Sequence, residues 1–466
     1  MKLTLRHFYS KCSLRAFLLL LFLTTACSKD GTSIEKEIEK EGITIADADK
    51  IPLVNINTNG ATIPDEPKID AEVTVSEKGE ITFVNNIGIE IRGSSSQMFP
   101  KKSYGFETRD ENNEDIDLPF LGFPEEEDWI LYAPYSDKTL VRNKLIFDLA
   151  RDLGGYASRT EFVELDLNGS YKGVYVLMEK IKRNAFRVDI NKLKTDENTG
   201  EDLTGGYILK IDKTTGTLGG ELNELNSFTS PYLPNNASTT QTIAFQYEYP
   251  KAEDITSEQR TYISDYVTQF ENALASDDFM DPDMGYNAYI DADSFVDFFL
   301  LNELSNNVDG YRLSTFMYKD KNEKLKMGPI WDFNLAFGNA DYCGGGAYDV
   351  WAYRFNERCS EDYWLVPFWW DRLLQDPSFL AKVKTRWSEL RGGVFAEGSI
   401  QSKLDGYINT LDKAGALETN FETWAIFGMY IWPNNYIGES HADEMGYMKS
   451  WISNRLDWLD QAIGDL

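Results

Sequence analysis

The sequence predicts an α+β fold, a mainly β lobe with one helix followed by a mainly helical lobe that carries a β-hairpin. Three observations predict it. Apolar residues alternate at period two through much of residues 51–211, and helical spacing dominates from 256 onward. Two strand pairs are marked by turn text, "DLNGSY" around Asn168-Gly169 and "KDKNEK" at 319–324.

In chain order, "LVNIN", "AEVTVS", "ITFV" and "IGIEIRG" read as strands, with Ile87, Ile89 and Ile91 on one face. "KKSYGFET" continues the sheet. A helix is expected in "DKTLVRNKLIFDLARDLGG", with Asp137 as N-cap, a leucine stripe, and Gly154-Gly155 as its stop. "EFVELDLNGSYKGVYVLMEKI" reads as a hairpin and "GGYILKIDK" as a further strand. Residues 212–250, rich in Thr, Gly, Asn and Pro, are expected to form an irregular excursion. Helices are expected at 256–275, 292–307, 368–392, 399–412 and 440–463, interrupted by the hairpin "STFMYKDKNEKLKMGPIWDF". Two lobes of different secondary structure imply a cleft, where small ligands usually bind.

Composition narrows the function. The 466 residues suffice for a substantial core, and 42% hydrophobic content with 14% aromatics argues against disorder. A formal charge of -30 argues against nucleic acid as a partner, because phosphates would be repelled. The two histidines, His7 and His441, rule out a His-rich metal site, so any metal must be held by oxygen: magnesium, manganese or calcium.

Residues 1–26 read as an export signal, four basic residues followed by a short apolar run too short to span a bilayer. "LTTAC" resembles a lipobox with Cys27 as the lipidated residue; ordinary signal cleavage is the alternative. Residues 27–50 read as an acidic tether. The expected location is a membrane-anchored lipoprotein at the outer membrane or cell surface. Export would place Cys343 and Cys359 where a disulfide can form; two buried thiols are the alternative.

Three stretches have the residue types for phosphate chemistry. In "IEIRGSSSQMFPKKSYGFE", a strand ends at Arg92-Gly93, and Ser94, Ser95 and their neighbours offer hydroxyls and amides to an anion. Strand register puts Lys101 on the face of Ser103 and Gly105, favouring it as the phosphate contact, with Lys102 as runner-up. In "NNVDGYRLSTFMYKD", Asp309 sits at a helix-to-strand corner. In "GPIWDFNLAFG", Asp332 lies between Trp331 and Phe333, a costly place for a carboxylate unless a cation or donors meet it. The intervening hairpin returns the chain, so the two acids can share a site, one accepting a proton and one gripping a metal. Glu179 ends the strand "GVYVLME", where backbone could meet a purine edge.

Read in order, "IRGSSSQMFPKKSYGFE", "DWILYAPYSDKTLVRNKLIFDLA", "LDLNGSYKGVYVLMEKI", "NNVDGYRLSTFMYKD" and "GPIWDFNLAFGN" resemble the CotH kinase family of atypical protein kinases. The resemblance covers roughly residues 80–340 and the later "MKSWISNRLDWLD". It implies a two-lobed kinase-like fold over residues 51–466 and transfer of phosphate from ATP, with Mg or Mn, to protein Ser or Thr. It implies Asp309 as the catalytic aspartate, Asp332 as metal ligand and Lys101 on the phosphates, with Arg92, Arg142 and Asn143 in matching blocks. Two positions depart from the pattern. Ser314 stands where kinases carry a metal-binding Asn, and Asn334 replaces a second acid in "WDFD"; both would be weaker members of the metal set. The alternative function is a catalytically weak or inactive surface module binding protein or glycan partners, through the cleft or the aromatic segment 351–370.

Overall fold

The computed structural model describes residues 46–214, 221–238 and 240–466. The expected signal 1–26, Cys27 and all but the last few residues of the tether lie outside them. Among the described residues no helix is long and apolar enough to cross a membrane.

The fold is mixed α+β. Seven strands close a barrel: β1 (Leu53–Asn57), β2 (Ile69–Glu77), β3 (Glu80–Arg92), β4 (Ser103–Arg109), then, past a two-stranded flap of β5 (Leu118–Phe120) and β6 (Phe123–Glu126), β7 (Asp128–Tyr132), and finally β8 (Thr160–Leu167) and β9 (Ser170–Glu179). Strand order is β1-β2-β3-β4-β7-β9-β8, and a parallel β1–β8 pairing closes the ring while the other pairs are antiparallel. Alternation explains the closure. Val54, Ile56, Val73, Val75, Ile87 and Ile89 point inward to a core that includes Trp129, and closing the ring removes exposed sheet edges. "ITFV" and "IGIEIRG", read as two strands, are one long strand, β3.

Helix α1 (Arg142–Asp152) begins later than expected. Leu140 has a positive φ of 66°, which turns the chain before helix can form. Asp137 still acts as a cap at a distance, its Oδ2 accepting from the Arg142 amide at 2.9 Å.

A second sheet corrects the expectation for 212–250. β10 (Tyr207–Ile211), β11 (Ser227–Thr229) and β12 (Ala244–Tyr249) join the hairpin β13 (Thr315–Lys319) and β14 (Lys326–Met327) in the order β11-β12-β10-β13-β14. The supposed irregular excursion thus supplies two of five strands.

The helices are α2 (Ser257–Ala275), α3 (Ala292–Ser305), α4 (Phe355–Arg358), α5 (Trp369–Leu373), α6 (Pro377–Arg391), α7 (Glu397–Lys413), α8 (Ala416–Thr423) and α9 (His441–Asp465). The expected helix 368–392 is broken because Asp376 caps a new start and Pro377 takes its first position, where a missing N–H costs nothing. Helix α8 was not foreseen.

A buried ion pair ties α3 to α9. Arg455 donates to the Glu303 carbonyl at 2.8 Å and meets its carboxylate at 3.2 Å, and Glu303 also accepts from the amides of Ala352 and Tyr353 at 2.8 and 2.9 Å. Burial pushes the Glu303 carboxyl up, and Arg455 opposes that shift. Arg455→Leu should cost about 3–5 kcal/mol, because it strands a buried carboxylate. Urea denaturation checks this, and adding Glu303→Gln should recover part of the loss.

Candidate active site

A cavity of about 370 Å³ is lined by the open end of the barrel, by β10, β12 and β13 of the second sheet, and by the loops holding Asp309 and Asp332. A larger hollow of about 710 Å³ shares only Asp212 with it and lacks the convergence of acids and cations described next.

Asp309 follows the C-terminus of α3. Asn306 ends that helix in the left-handed conformation, with φ 43°, and Asn307 Oδ1 accepts from the Asp309 amide at 3.3 Å. Two groups hold one carboxylate oxygen: Arg312 Nη2 and Tyr342 Oη reach Oδ1 at 2.8 and 3.2 Å.

Asp332 also occupies left-handed backbone, φ 63°, which aspartate tolerates better than most residues. Its loop is fixed from α1. The Phe333 amide donates to Asn143 Oδ1 at 2.9 Å, and Arg142 Nε donates to the Ala336 carbonyl at 3.1 Å. Asn307 Nδ2 reaches the Asp332 carbonyl at 3.4 Å, so the two acidic segments are also linked to each other. The Asp332 carboxyl is pushed up to about 7, first by burial, then by the charges of Asp309 and Asp212, against the pull of Lys213 and Arg92.

Arg92 lies at the end of β3 with its guanidinium over the Trp331 ring at 5.4 Å, and burial lowers its pKa. Ser94 and Ser95 line the cavity beside it. Gly93 is required there: its φ is 113°, and a Cβ would lie 2.1 Å from Ser96 Oγ. Ser314 and Asn334 line the same cavity, and Ser314 Oγ donates to Asp212 Oδ2 at 3.4 Å. The structure therefore brings together Asp309, Asp332, Arg92, Ser94, Ser95, Ser314 and Asn334.

Three expected residues do not reach the cavity. Lys101 is 3% exposed and donates to the Val174 carbonyl at 2.6 Å and Asn420 Oδ1 at 2.9 Å, between the barrel and α8. Strand register does not extend back to Lys101, because the chain bends before β4 starts at Ser103, which does face the cavity. Lys102 instead caps the Gln97 carbonyl. Glu179 turns away to Arg159, pairing at 2.6 Å, while its neighbours Met178 and Lys180 line the cavity.

Sequence reasoning missed Lys180, Lys210, Asp212 and Glu248. Lys210 and Glu248 form an ion pair at 3.0 Å across β10 and β12, and Lys251 holds the other Glu248 oxygen at 2.8 Å. These lysines bring the Glu248 carboxyl down to about 2 against the opposing effect of burial. The signal was present: in "YILKID" and "AFQYEY", Lys210, Asp212 and Glu248 alternate with buried Leu209, Ile211, Phe245 and Tyr247. Near the site, Cys343 and Cys359 form a disulfide with Cα atoms 5.8 Å apart.

The family described as CotH kinase protein matches residues 89–459, and the chain belongs to it. Over 96 residues the chain is 34% identical to the inner spore coat protein H of Bacillus subtilis (strain 168), covering 21% of this chain and 24% of that protein. Over 209 residues it is 24% identical to spore coat protein homolog 1 of Rhizopus delemar, covering 44% of this chain and 29% of that protein. The chain thus spans under a third of the length of either of these curated relatives.

The buried Lys101 makes its own prediction. Burial lowers its pKa from 10.5 to about 7, so between those values the unfolded chain binds more protons than the folded one. Stability contributed by this group therefore rises with pH across that window, by at most about 1.4 kcal/mol per pH unit. Lys101→Met should flatten the rise, measured as the difference between the two chains' urea midpoints from pH 7 to 10.

Proposed function

We propose that this protein is a CotH-type protein kinase that transfers the terminal phosphate of ATP to a protein Ser or Thr hydroxyl. The observation that carries the reading is the meeting of Asp309, Asp332 and Arg92, from three distant segments, in one cavity. The barrel and the body formed by the second sheet and helices serve as the two lobes of a kinase-like fold.

The donor set fits magnesium or manganese. The candidate ligands Asp332, Asp212, Ser314 and Asn334 offer oxygen from their acidic, hydroxyl and amide groups, and a carboxyl raised to about 7, first by burial and then by like charges, gains from a cation. A bound cation would neutralise charge on the transferred phosphate. Asp309, its Oδ1 fixed by Arg312 and Tyr342, has Oδ2 to receive the acceptor's proton. Arg92 and Lys210, the latter steadied by Glu248, stand in for Lys101 as the phosphate-neutralising cations. Apolar Ile130, Met178, Ile181 and Phe316 line the same cavity and suit a purine.

Lipid anchoring through Cys27 and display at the outer membrane or cell surface complete the reading. The spore-coat names of both relatives support a surface location. Ser314 in place of an asparagine favours a second reading, a surface module that binds nucleotide, protein or glycan without turnover.

ATP with magnesium or manganese should raise the melting temperature by several degrees, and Asp332→Ala should abolish the shift. Asp309→Asn should keep the shift while phosphoryl transfer to a mixed protein acceptor falls at least about 100-fold. A shift without transfer in the unaltered chain selects the second reading; no shift with either metal rejects both nucleotide readings.

A further inference from the structure

Two jaws hold Asp309, and one covalent bond joins the segments behind them. The first jaw is Tyr342, whose hydroxyl donates to Oδ1 at 3.2 Å and whose ring stacks on Trp432, 2° from parallel. Cys343 follows it directly. The second jaw is Arg312, which is 2% exposed and donates to the same oxygen at 2.8 Å. Arg312 is seated by the segment around Cys359: its guanidinium lies 3.9 Å from the Phe355 ring centroid, and Nη1 donates to Asp362 Oδ1 at 3.3 Å and the Trp364 carbonyl at 3.2 Å. The Cys343–Cys359 disulfide therefore ties the segment of one jaw to the seat of the other. Arg358 adds a bond in the same direction, from Nε to the Cys343 carbonyl at 3.0 Å. Both cysteines are half-buried rather than sealed in the core.

We propose that the Cys343–Cys359 disulfide is a redox latch on Asp309, keeping Tyr342 and Arg312 closed on Oδ1 so that Oδ2 faces the acceptor, with Tyr342 as the positioning residue the latch controls. The latch rests on the kinase reading for its effect on transfer, though not for its geometry. Opening it takes two electrons and two protons from a dithiol, which becomes a disulfide as thiols appear at 343 and 359. Tyr342 then loses its tether beside the left-handed turn at Cys343, φ 48°, and Asp309 loses one of two donors. Nucleotide binding should be spared, because Tyr342 touches Asp309 and Trp432 rather than the phosphate-facing cations.

Two arms test this. In the first, the full chain is compared oxidised and after treatment with dithiothreitol, with thiols counted. Reduction should lower kcat about 3- to 10-fold with the KM for ATP and the nucleotide-induced melting shift unchanged. Tyr342→Phe should show the same fall when oxidised and no further fall when reduced, as should Cys343→Ser/Cys359→Ser. Unchanged kcat on reduction, or a Tyr342→Phe chain as sensitive as the parent, overturns the latch. The second arm needs no activity. The destabilisations of Tyr342→Phe and Asp309→Asn should be non-additive in the oxidised chain and additive in the chain lacking both cysteines. Additivity in both backgrounds overturns the latch even if the chain transfers phosphate, and coupling without any transfer sinks the kinase reading alone.

Discussion

The arrangement depends on Arg142, a fully buried arginine at the start of α1. Its Nη1 meets Asp137 Oδ1 at 2.5 Å while its Nε reaches across to the Ala336 carbonyl, so one guanidinium joins the turn before the helix to the loop after Asp332. Asn143 adds the bond to the Phe333 amide. These contacts explain how an aspartate can persist in left-handed backbone beside two other acids. The unfavourable backbone state is held by hydrogen-bond partners on a helix some 190 residues earlier, while the like-charge repulsion is opposed by Lys213 and Arg92. Breaking an ion pair buried this deeply leaves an uncompensated charge, so the loop cannot relax cheaply into another conformation.

The barrel was legible because its strands are half-buried and must alternate. Ile87 and Ile89 could be placed facing inward from spacing alone, and the structure puts them there. The Asn168-Gly169 turn was legible for a different reason: both residues have positive φ, which that dipeptide tolerates. Legibility failed where tertiary pairing decides. Residues 244–249 are a strand because β10 offers them an edge, and residues 227–229 because β12 offers the next one; neither partner is adjacent in the text of 212–250. The break before α6 was written in "QDPS", but the apolar stripe running through it made one helix look continuous.

The site divides in the same way. Asp309 and Asp332 could be paired from text because a hairpin between them returns the chain. Lys101 was misplaced because period two holds only inside a strand, and the bend before Ser103 swings the lysine towards α8. Lys210, which does line the cavity, sits on a strand that was expected, yet it is paired with Glu248 on a strand that was not. Alternation can mark the face of each partner, but the pairing of two distant segments is written in neither of them. Arg312 and Tyr342 were silent for the same reason, since each matters through an oxygen of Asp309.

Charge pairing separates the roles of the acids. In a chain with a formal charge of -30, the cavity still gathers cations, and several of its charges are already matched: Lys180 with Asp128 at 3.0 Å, Lys210 and Lys251 with Glu248, Arg312 with Asp309. Among the described residues no salt bridge or hydrogen bond reaches the Asp332 carboxylate. An arginine-bound carboxylate keeps its orientation, which suits a group that must accept a proton from a hydroxyl. An unpaired carboxyl raised to about 7 has the opposite character: it holds a proton readily until a stronger positive charge displaces it. Under the proposed kinase reading, this difference supports Asp332 as the cation holder and Asp309 as the proton acceptor. What distinguishes them is the arginine three residues after one and the lack of any such partner at the other.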